Sequence, residues 1–306
     1  MDIFRLCRGL YKYTTDYQYR FIANNGFGLY NHMDDVTFLK KMYQIKTGRQ
    51  LNLDNPQRFN EKLQWLKIHN RKDIFTTMVD KYEVKSLVAD KIGGKYVIQT
   101  YGIWEKPSEI AYSELPNKFV LKTTHGCGGM VICKDKKNLS INNSNRILSS
   151  TYKRNYFYNT REWPYYNVKP RILAEQLMED SNHEVLPVYK VFNFNGEPKI
   201  IQTIQDDKTD HEKIDYFDIH WNHLDLRQNY ENSNTPLNKP ENLEEMLQLS
   251  RVCSEGIPFL RTDWYVVNGD IYFSEFTFFS DAGLEPFYPD EWDYTLGSWI
   301  DLSNVR

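Results

Sequence analysis

The sequence has little cysteine. Cys7, Cys127, Cys133 and Cys253 are scattered through 306 residues, with no CxxC pair and no histidine set at a metal-ligand interval. That spacing excludes a disulfide-stapled scaffold and a structural zinc site, and it fits reduced thiols in the cytoplasm. Long apolar runs are missing too. Nothing approaches the roughly 18 residues of a membrane span, and no basic-then-apolar leader opens the chain. Charge of one sign is equally scarce: 38 Lys and Arg face 41 Asp and Glu, a formal −3. A protein that grips a nucleic-acid backbone needs a basic excess, so no nucleic-acid partner is expected. Repeats and low-complexity tracts are absent.

Aromatic side chains are abundant instead. Seven Trp, 22 Tyr and 17 Phe make 15% of the chain, and Tyr alone outnumbers the 15 Gly. Disordered chains are poor in such residues, so the chain builds real cores. At roughly 150 residues per domain, its length suits one large multi-lobed domain or two ordinary ones.

Residues 1–48 form an aromatic, mildly basic extension in which Arg5, Arg8 and Lys12 fall three and four apart. On a helix they make one basic stripe, suited to a docked helix with a solvated face or to peripheral contact with an acidic membrane surface. Residues Phe59–His69 keep a helical period, with Asn60 as the expected cap. The spacing predicts a second helix over 77–91, halted by Gly93-Gly94, with Asp80 as an N-cap. The pattern then shortens to strands. Residues 118–123 and 130–133 make a hairpin around an oversized glycine-bearing loop, and 171–175 read as a buried strand. Residues 189–194 and 199–204 flank Asn195-Gly196, a strong hairpin signal. Residues 243–253 are helical, and 263–267 and 271–276 form a last strand pair. Helices first and hairpins afterwards give an α+β class. Four stretches follow: 1–48, a helical subdomain over 49–116, a small lobe over 117–180 and a large lobe over 181–306.

The loop Thr123-Thr-His-Gly-Cys-Gly-Gly-Met130 joins two strands. Glycines at 126, 128 and 129 let backbone N–H groups converge on an anion, with His125 in reach and Lys122 beside them as a point charge. It opens no helix and lacks the Walker A pattern, so it is neither a P-loop nor a Rossmann turn. Arg261-x-Asp263 and Glu275-x-Thr277 place two carboxylates and a hydroxyl on neighbouring strands. Such a set suits Mg²⁺, which takes one or two carboxylates with substrate phosphates and water. Register decides whether they meet. A two-residue Asn268-Gly269 turn alone would put Asp263 and Glu275 on opposite faces. A longer loop or a bulge at Gly269, pairing Val267 with Ile271, sets them directly opposite, and this register is expected. Glu175-Gln176-Leu177 ends a buried strand where the chain passes between lobes. Residues 150–170 are dense in Tyr, Trp, Arg and Lys.

In order, Asp80-Lys81, Phe119-Val-Leu-Lys122 with its loop, Glu175-Gln-Leu177, Arg261-x-Asp263 and Glu275-x-Thr277 resemble the elements of ATP-grasp enzymes. More narrowly, Phe59-Asn-Glu-Lys-Leu-Gln-Trp-Leu66, Phe119-Val-Leu-Lys-Thr-Thr-His-Gly126, Glu162-Trp-Pro-Tyr165, Lys169-Pro-Arg-Ile172 and Glu291-Trp-Asp293 resemble the TupA-like ATP-grasp proteins of bacterial surface-polysaccharide biosynthesis. The likeness runs from about residue 55 to 302.

This resemblance implies an ATP-grasp fold holding ATP between two α+β lobes, with one or two Mg²⁺ ions on its phosphates. Lys81 and Lys122 would neutralise phosphates, and His125, Gly126, Gly128 and Gly129 would close over them. Glu175, Gln176 and Leu177 would hold the adenine. Asp263, Glu275 and Thr277 would bind metal, and Arg261 would steady the transferred phosphoryl or the tetrahedral intermediate. Thr277 and Cys127 stand where the family usually has Asn and Ser. Val188-Tyr-Lys190 replaces an expected Asp-Tyr-Lys; Lys190 remains a phosphate or catalytic candidate, and Glu184 a substitute for the missing acid. The implied chemistry is ligation of a uronic-acid carboxylate on a sugar, lipid-linked or nucleotide-linked intermediate to an amino acid, for a capsule or O-antigen. The 150–170 segment would then be a sugar-binding lid using Tyr156, Trp163 and Tyr165, with Lys153, Arg154 and Arg161 holding a carboxylate or pyrophosphate. A nucleotide-sugar glycosyltransferase, a sugar kinase and a catalytically silent nucleotide sensor are the alternatives. The enzyme is expected in the cytoplasm, with at most its N-terminus on the inner face of the membrane.

Overall fold

A computed structural model describes residues 3–181, 183–207, 209–303 and 305, without the side chains of 3–7, so Arg5 and Cys7 lie outside the described side chains. Three helices lead: α1 (Ile3–Thr15), α2 (Tyr17–Gly26) and α3 (Asp35–Thr47). Asp34 caps α3 by accepting the Thr37 N–H at 2.9 Å, and Gly48 closes it in the left-handed conformation. Phe21, Phe38, Leu39, Met42 and Tyr43 of α2 and α3 pack with Leu284 into a small core of their own.

Next come α4 (Phe59–His69), α5 (Asp73–Val79) and α6 (Glu83–Ile92). The expected cap of α4 is corrected. Glu61 Oε2 accepts the backbone N–H groups of Gln57 and Arg58 at 2.9 and 3.1 Å, while Asn60 lies buried inside the helix. The single helix expected over 77–91 is two. Asp80 ends α5, and its Oδ1 accepts the N–H groups of Tyr82 and Glu83 at 2.9 and 3.2 Å, starting α6 afresh. The break leaves Lys81 between helices, its N–H on the Thr124 carbonyl at 3.2 Å.

Two antiparallel sheets follow. β1 (Thr100–Trp104), β2 (Phe119–Thr123), β3 (Met130–Cys133) and β4 (Ile172–Glu175) form a four-stranded sheet in the order β1-β4-β2-β3. Between β3 and β4 the chain makes α7 (Ile141–Tyr152) and the short α8 (Phe157–Thr160), and Leu148 of α7 packs on Phe119, Leu121 and Ala174. The second sheet has five strands, β5 (Val188–Phe194), β6 (Glu197–Gln205), β7 (Lys213–Asp218), β8 (Phe259–Val267) and β9 (Asp270–Thr277), ordered β7-β6-β5-β8-β9. Asn195-Gly196 is the expected tight turn, both residues at positive φ. The largest core lies on this sheet under α4 and α9 (Leu243–Ser254), with Phe59 edge-on to Phe259 at 4.9 Å between ring centres. Helix α10 (Glu291–Ser298) packs on α4, and the Asp293 carboxylate accepts the Asn60 N–H at 3.0 Å. No helix of the described residues is long and apolar enough to cross a membrane.

The β8–β9 hairpin brings Asp263 opposite Glu275, but by another device than expected. Asn268 and Gly269 form a two-residue turn at φ 50° and 88°, pairing Val267 with Asp270. Asn-Gly favours this turn because both positions need positive φ. The extra residue sits further along: the register shifts between Asp263 and Trp264, where Trp264 faces Phe273 and Asp263 faces Glu275. Ser274 is the bulged residue, and the bulge re-aims the strand end beside the carboxylates.

Candidate active site

Where the two sheets approach each other, charged side chains gather from both. On the four-stranded sheet, Lys122 near the end of β2 pairs with the Glu175 carboxylate at the end of β4, since Val120 lies opposite Glu175 in the register. Lys85 of α6 reaches the other oxygen of Glu175 at 3.0 Å and donates to the Ile98 carbonyl at 2.6 Å. Burial alone would raise the pKa of Glu175. The two ammonium groups outweigh it and hold the carboxyl below its usual range.

The glycine loop follows β2. Gly128 and Gly129 have φ 87° and 63°, and a Cβ on Gly129 would stand 2.0 Å from Thr151 Oγ1, so no side chain fits. Lys81 crosses to this loop. Its Nζ donates to the Gly126 carbonyl at 2.9 Å and stands 3.6 Å from Glu275 Oε2 on the other sheet. One ammonium therefore touches both halves of the site.

On the five-stranded sheet, Arg261 and Asp263 lie two apart on β8 and share a face. Arg261 Nε and Nη2 donate to the two Asp263 oxygens at 2.8 Å each, a bidentate pair, while Nη1 donates to Ser280 Oγ at 3.0 Å and Nη2 to Thr277 Oγ1 at 3.1 Å. Lys190 on β5 is opposite Asp263 in the register. Burial and then the Arg261 charge push its ammonium pKa down, and Asp263 opposes them. Its ammonium makes no hydrogen bond or ion pair with a described residue. The Glu275 side chain is 40% exposed; its partial burial would raise its pKa, yet Lys81, Arg261, Lys190 and Lys122 together hold it at about 2. Lys81, Lys85, Lys122, Lys190 and Arg261 thus gather around Glu175, Asp263 and Glu275, with Asp281 also near Lys190 and Arg261, and the remaining positive charge suits an incoming polyanion.

Several expected site residues are placed otherwise. His125 is 3% exposed, its Nε2 3.1 Å from the Tyr152 carbonyl and its pKa lowered by burial, which sets it into the floor of the loop. Arg161 is fully buried. It pairs with Asp35 of α3 at 2.9 Å and donates to the Tyr30 carbonyl at 2.6 Å, which makes it an anchor for the N-terminal helices and corrects its assignment to substrate. Trp163 is stacked on Tyr166 with the Arg71 guanidinium 5.0 Å from its ring, and Tyr156 is edge-on to Tyr165. The 150–170 segment is mostly a packed aromatic knot. Lys153 and Arg154 are exposed where α7 ends, Gln176 is exposed with its N–H on the Gln99 carbonyl, and Leu177 is half-buried. Glu184 is exposed on the connection between the sheets. Lys85, Lys67 and Ser280 were not legible as site residues, because their partners are backbone carbonyls or side chains far along the chain.

Among the described residues no three His, Cys, Asp or Glu side chains come together to hold a metal ion. Asp263, Glu275 and the Thr277 hydroxyl still fit Mg²⁺ of the kind that completes its shell with substrate phosphates, since that ion needs only one or two carboxylates. A cation-rich cluster where two antiparallel sheets meet, with a glycine loop on one and a carboxylate pair on the other, defines the class: an ATP-grasp protein. A profile of the TupA-like ATPgrasp family matches residues 61–301, and the chain belongs to that family. No curated protein matches the chain. Solved structures similar to it include the ATP complex of D-alanine–D-alanine ligase from Bacillus anthracis, 16% identical, with TM-score 0.40, covering 66% of this chain and 53% of that one. D-alanine–D-alanine ligase from Helicobacter pylori is 14% identical with TM-score 0.45, covering 80% and 70%. The ATP-grasp ligase PsnB with its minimal precursor, Mg and ADP is 12% identical with TM-score 0.38, covering 71% and 57%. The chain thus spans little more than half the length of the first and third of these ligases.

Proposed function

We propose that this protein is an ADP-forming ligase that joins a sugar carboxylate, a uronic acid, to the amine of an amino acid during capsule or O-antigen assembly. The observation that carries the reading is Lys81, which links the glycine loop to Glu275 within a cluster of cations facing few carboxylates. Lys81, Lys122 and Lys190 would bind the triphosphate, and the Gly126, Gly128 and Gly129 backbone would close over it. Glu175, Gln176 and Leu177 would line the adenine end. Asp263, Glu275 and Thr277 would hold Mg²⁺, which shields the phosphate charges when bound. Arg261, fixed by its bidentate pair, would meet charge developing on the transferred phosphoryl. A carboxylate oxygen attacks the γ-phosphorus and ADP leaves. The amine then attacks the acyl carbon, phosphate departs with the former carboxylate oxygen, and the nitrogen gives up a proton.

The carbohydrate reading rests on the family's association with surface polysaccharides, and among the basic residues of 150–170 it now leans on Lys153 and Arg154. A cytoplasmic enzyme touching the inner membrane face fits the N-terminal segment, where Tyr11, Phe27 and Leu29 are 69%, 76% and 65% exposed and Arg8, Lys12 and Arg20 supply positive charge. Incubation with ATP, Mg²⁺, a panel of uronic acids and hydroxylamine should give hydroxamate and ADP in equal amounts. Release of AMP would overturn the reading.

A further inference from the structure

Helix α4 turns a stripe of polar side chains inward. Asn60, Gln64 and Lys67 are spaced at i, i+4 and i+7, share one face, and are 1%, 0% and 0% exposed. Burying polar groups is costly unless they are bonded, and these are bonded largely to one segment. Asn60 Nδ2 donates to the Glu285 carbonyl at 2.9 Å. Gln64 Nε2 donates to the carbonyls of Ala282 and Gly283 at 3.0 and 2.7 Å. Lys67 Nζ donates to the Ala282 carbonyl at 2.8 Å, to Gln64 Oε1 at 2.9 Å and to the Thr160 carbonyl at 2.8 Å. Three donors meet three acceptors on three separate stretches of chain. Burial lowers the ammonium's pKa, and the nearby Glu162 carboxylate opposes that.

The segment gripped in this way follows β9 directly. Asp281, Ala282 and Gly283 are all left-handed, at φ 48°, 55° and 61°. For the two that carry a Cβ this conformation is strained and persists only where the surroundings over-determine it. A Cβ on Gly283 would lie 2.6 Å from Gln64 Nε2 and 2.9 Å from Leu63 Cβ, so the turn is pressed against α4. Just before the turn, Ser280 Oγ receives Arg261 Nη1, and Arg261 holds Asp263. A continuous set of contacts therefore runs from Lys67 through the turn to the phosphoryl-facing guanidinium. A second contact runs through Thr160 to the aromatic segment.

We propose that Lys67 is a positioning residue, whose buried ammonium locks the left-handed turn against α4 and the aromatic segment and thereby fixes Arg261 beside Asp263. Its effect on turnover rests on the ligase reading above; the fixing of the turn does not. The Phe-Asn-Glu-Lys-Leu-Gln-Trp stretch then has a purpose beyond packing, since its Asn and Gln hold the same turn.

The full-length protein and its Lys67→Met variant are compared by cooperative thermal unfolding, Mg-ADP titration calorimetry, Mg²⁺-dependent ADP release with the uronic-acid panel and hydroxylamine, and hydrogen exchange across residues 278–285. The variant is expected to stay folded and to bind Mg-ADP within about threefold of wild type. Exchange over the turn should rise by about tenfold or more. The kcat for ADP release should fall by about tenfold or more with KM for ATP unchanged, the split expected of a residue acting on the phosphoryl-transfer geometry alone. A folded variant with wild-type exchange and wild-type kcat overturns the proposal. Should Lys67→Met not unfold cooperatively, Gln64→Met takes its place, and unchanged exchange and kcat there overturn it equally. Absence of ATP turnover in the wild type would sink the ligase reading instead, and exchange over the turn alone then decides for or against Lys67.

Discussion

Replacing Glu175 with Gln removes one charge and leaves two. The carboxylate is 5% exposed and is shared by Lys122 and Lys85, whose side chains are themselves 17% and 13% exposed. Without it the ammonium groups face each other across a buried amide. Breaking a buried pair by removing one partner costs about 3–5 kcal/mol, because the remaining charge is neither solvated nor neutralised. With 306 residues and an unfolding entropy of about 2 cal/mol/K per residue, that corresponds to a fall in Tm of roughly 5–8 °C. The sign of the pH dependence is fixed by the lowered pKa of Glu175. Its stabilisation is complete above the unfolded carboxyl pKa and disappears as pH falls through the lower folded value. The difference between wild type and variant, measured by circular dichroism melts, should therefore be constant from about pH 6 to 8 and shrink below about pH 4. Mg-ATP, which brings negative charge back to Lys122, should narrow the gap at neutral pH. A variant that melts within about 1 °C of wild type at pH 7 would refute the picture of a carboxylate balancing two buried cations.

Lys81→Met removes the ammonium that joins the two sheets, and Mg-ATP affinity by calorimetry should drop by about 1.5–3 kcal/mol, roughly 10- to 150-fold. An unchanged affinity would place the triphosphate elsewhere. Gly129→Ala forces a Cβ into Thr151 at a positive φ, so nucleotide binding should weaken more than global stability; equal binding would mean the loop is not the phosphate cradle. Arg161→Met leaves Asp35 paired with Arg71 at 2.7 Å but removes the buried guanidinium's bonds to Asp35 and the Tyr30 carbonyl, and should lower stability by about 1–3 kcal/mol in denaturant melts while leaving Mg-ADP affinity unchanged. A loss of affinity alone would restore Arg161 to the substrate site. Glu275, held at about 2, stays ionised far below neutrality, so Mg-ATP binding should show no acid limb from this group above about pH 4. An inflection near 6 that vanishes in Glu275→Gln would contradict the four-cation environment.

How much could be read from the sequence depended on whether a feature was local. The Asn195-Gly196 hairpin, the glycine loop and the extent of α4 follow from turn chemistry and periodicity, which short windows contain. The opposition of Asp263 and Glu275 was also within reach, although the compensating residue is the bulged Ser274 rather than Gly269. Bulge position depends on cross-strand packing, which one strand does not encode. The break at Asp80 was hidden because residues 77–91 keep a helical pattern throughout; it exists because Asp80 caps the next turn and also pairs with Arg171 at 2.7 Å. Arg161 and Trp163 looked like sugar-binding groups since an Arg among aromatics reads alike in a lid and in a core. Asp35 and Tyr30, far away in sequence, make it a core residue. Lys67 and Lys85 stayed invisible for the same reason: each binds backbone carbonyls, which leave no mark on sequence.

The ligase account turns on one covalent event, the passage of a carboxylate oxygen to phosphate. The decisive measurement is mass spectrometry of the inorganic phosphate formed from ATP, Mg²⁺, an amine and a uronic acid labelled with ¹⁸O in its carboxylate. An acylphosphate route places one labelled oxygen in the released phosphate for each amide formed. Label in AMP, or amide formation with unlabelled phosphate, would contradict it.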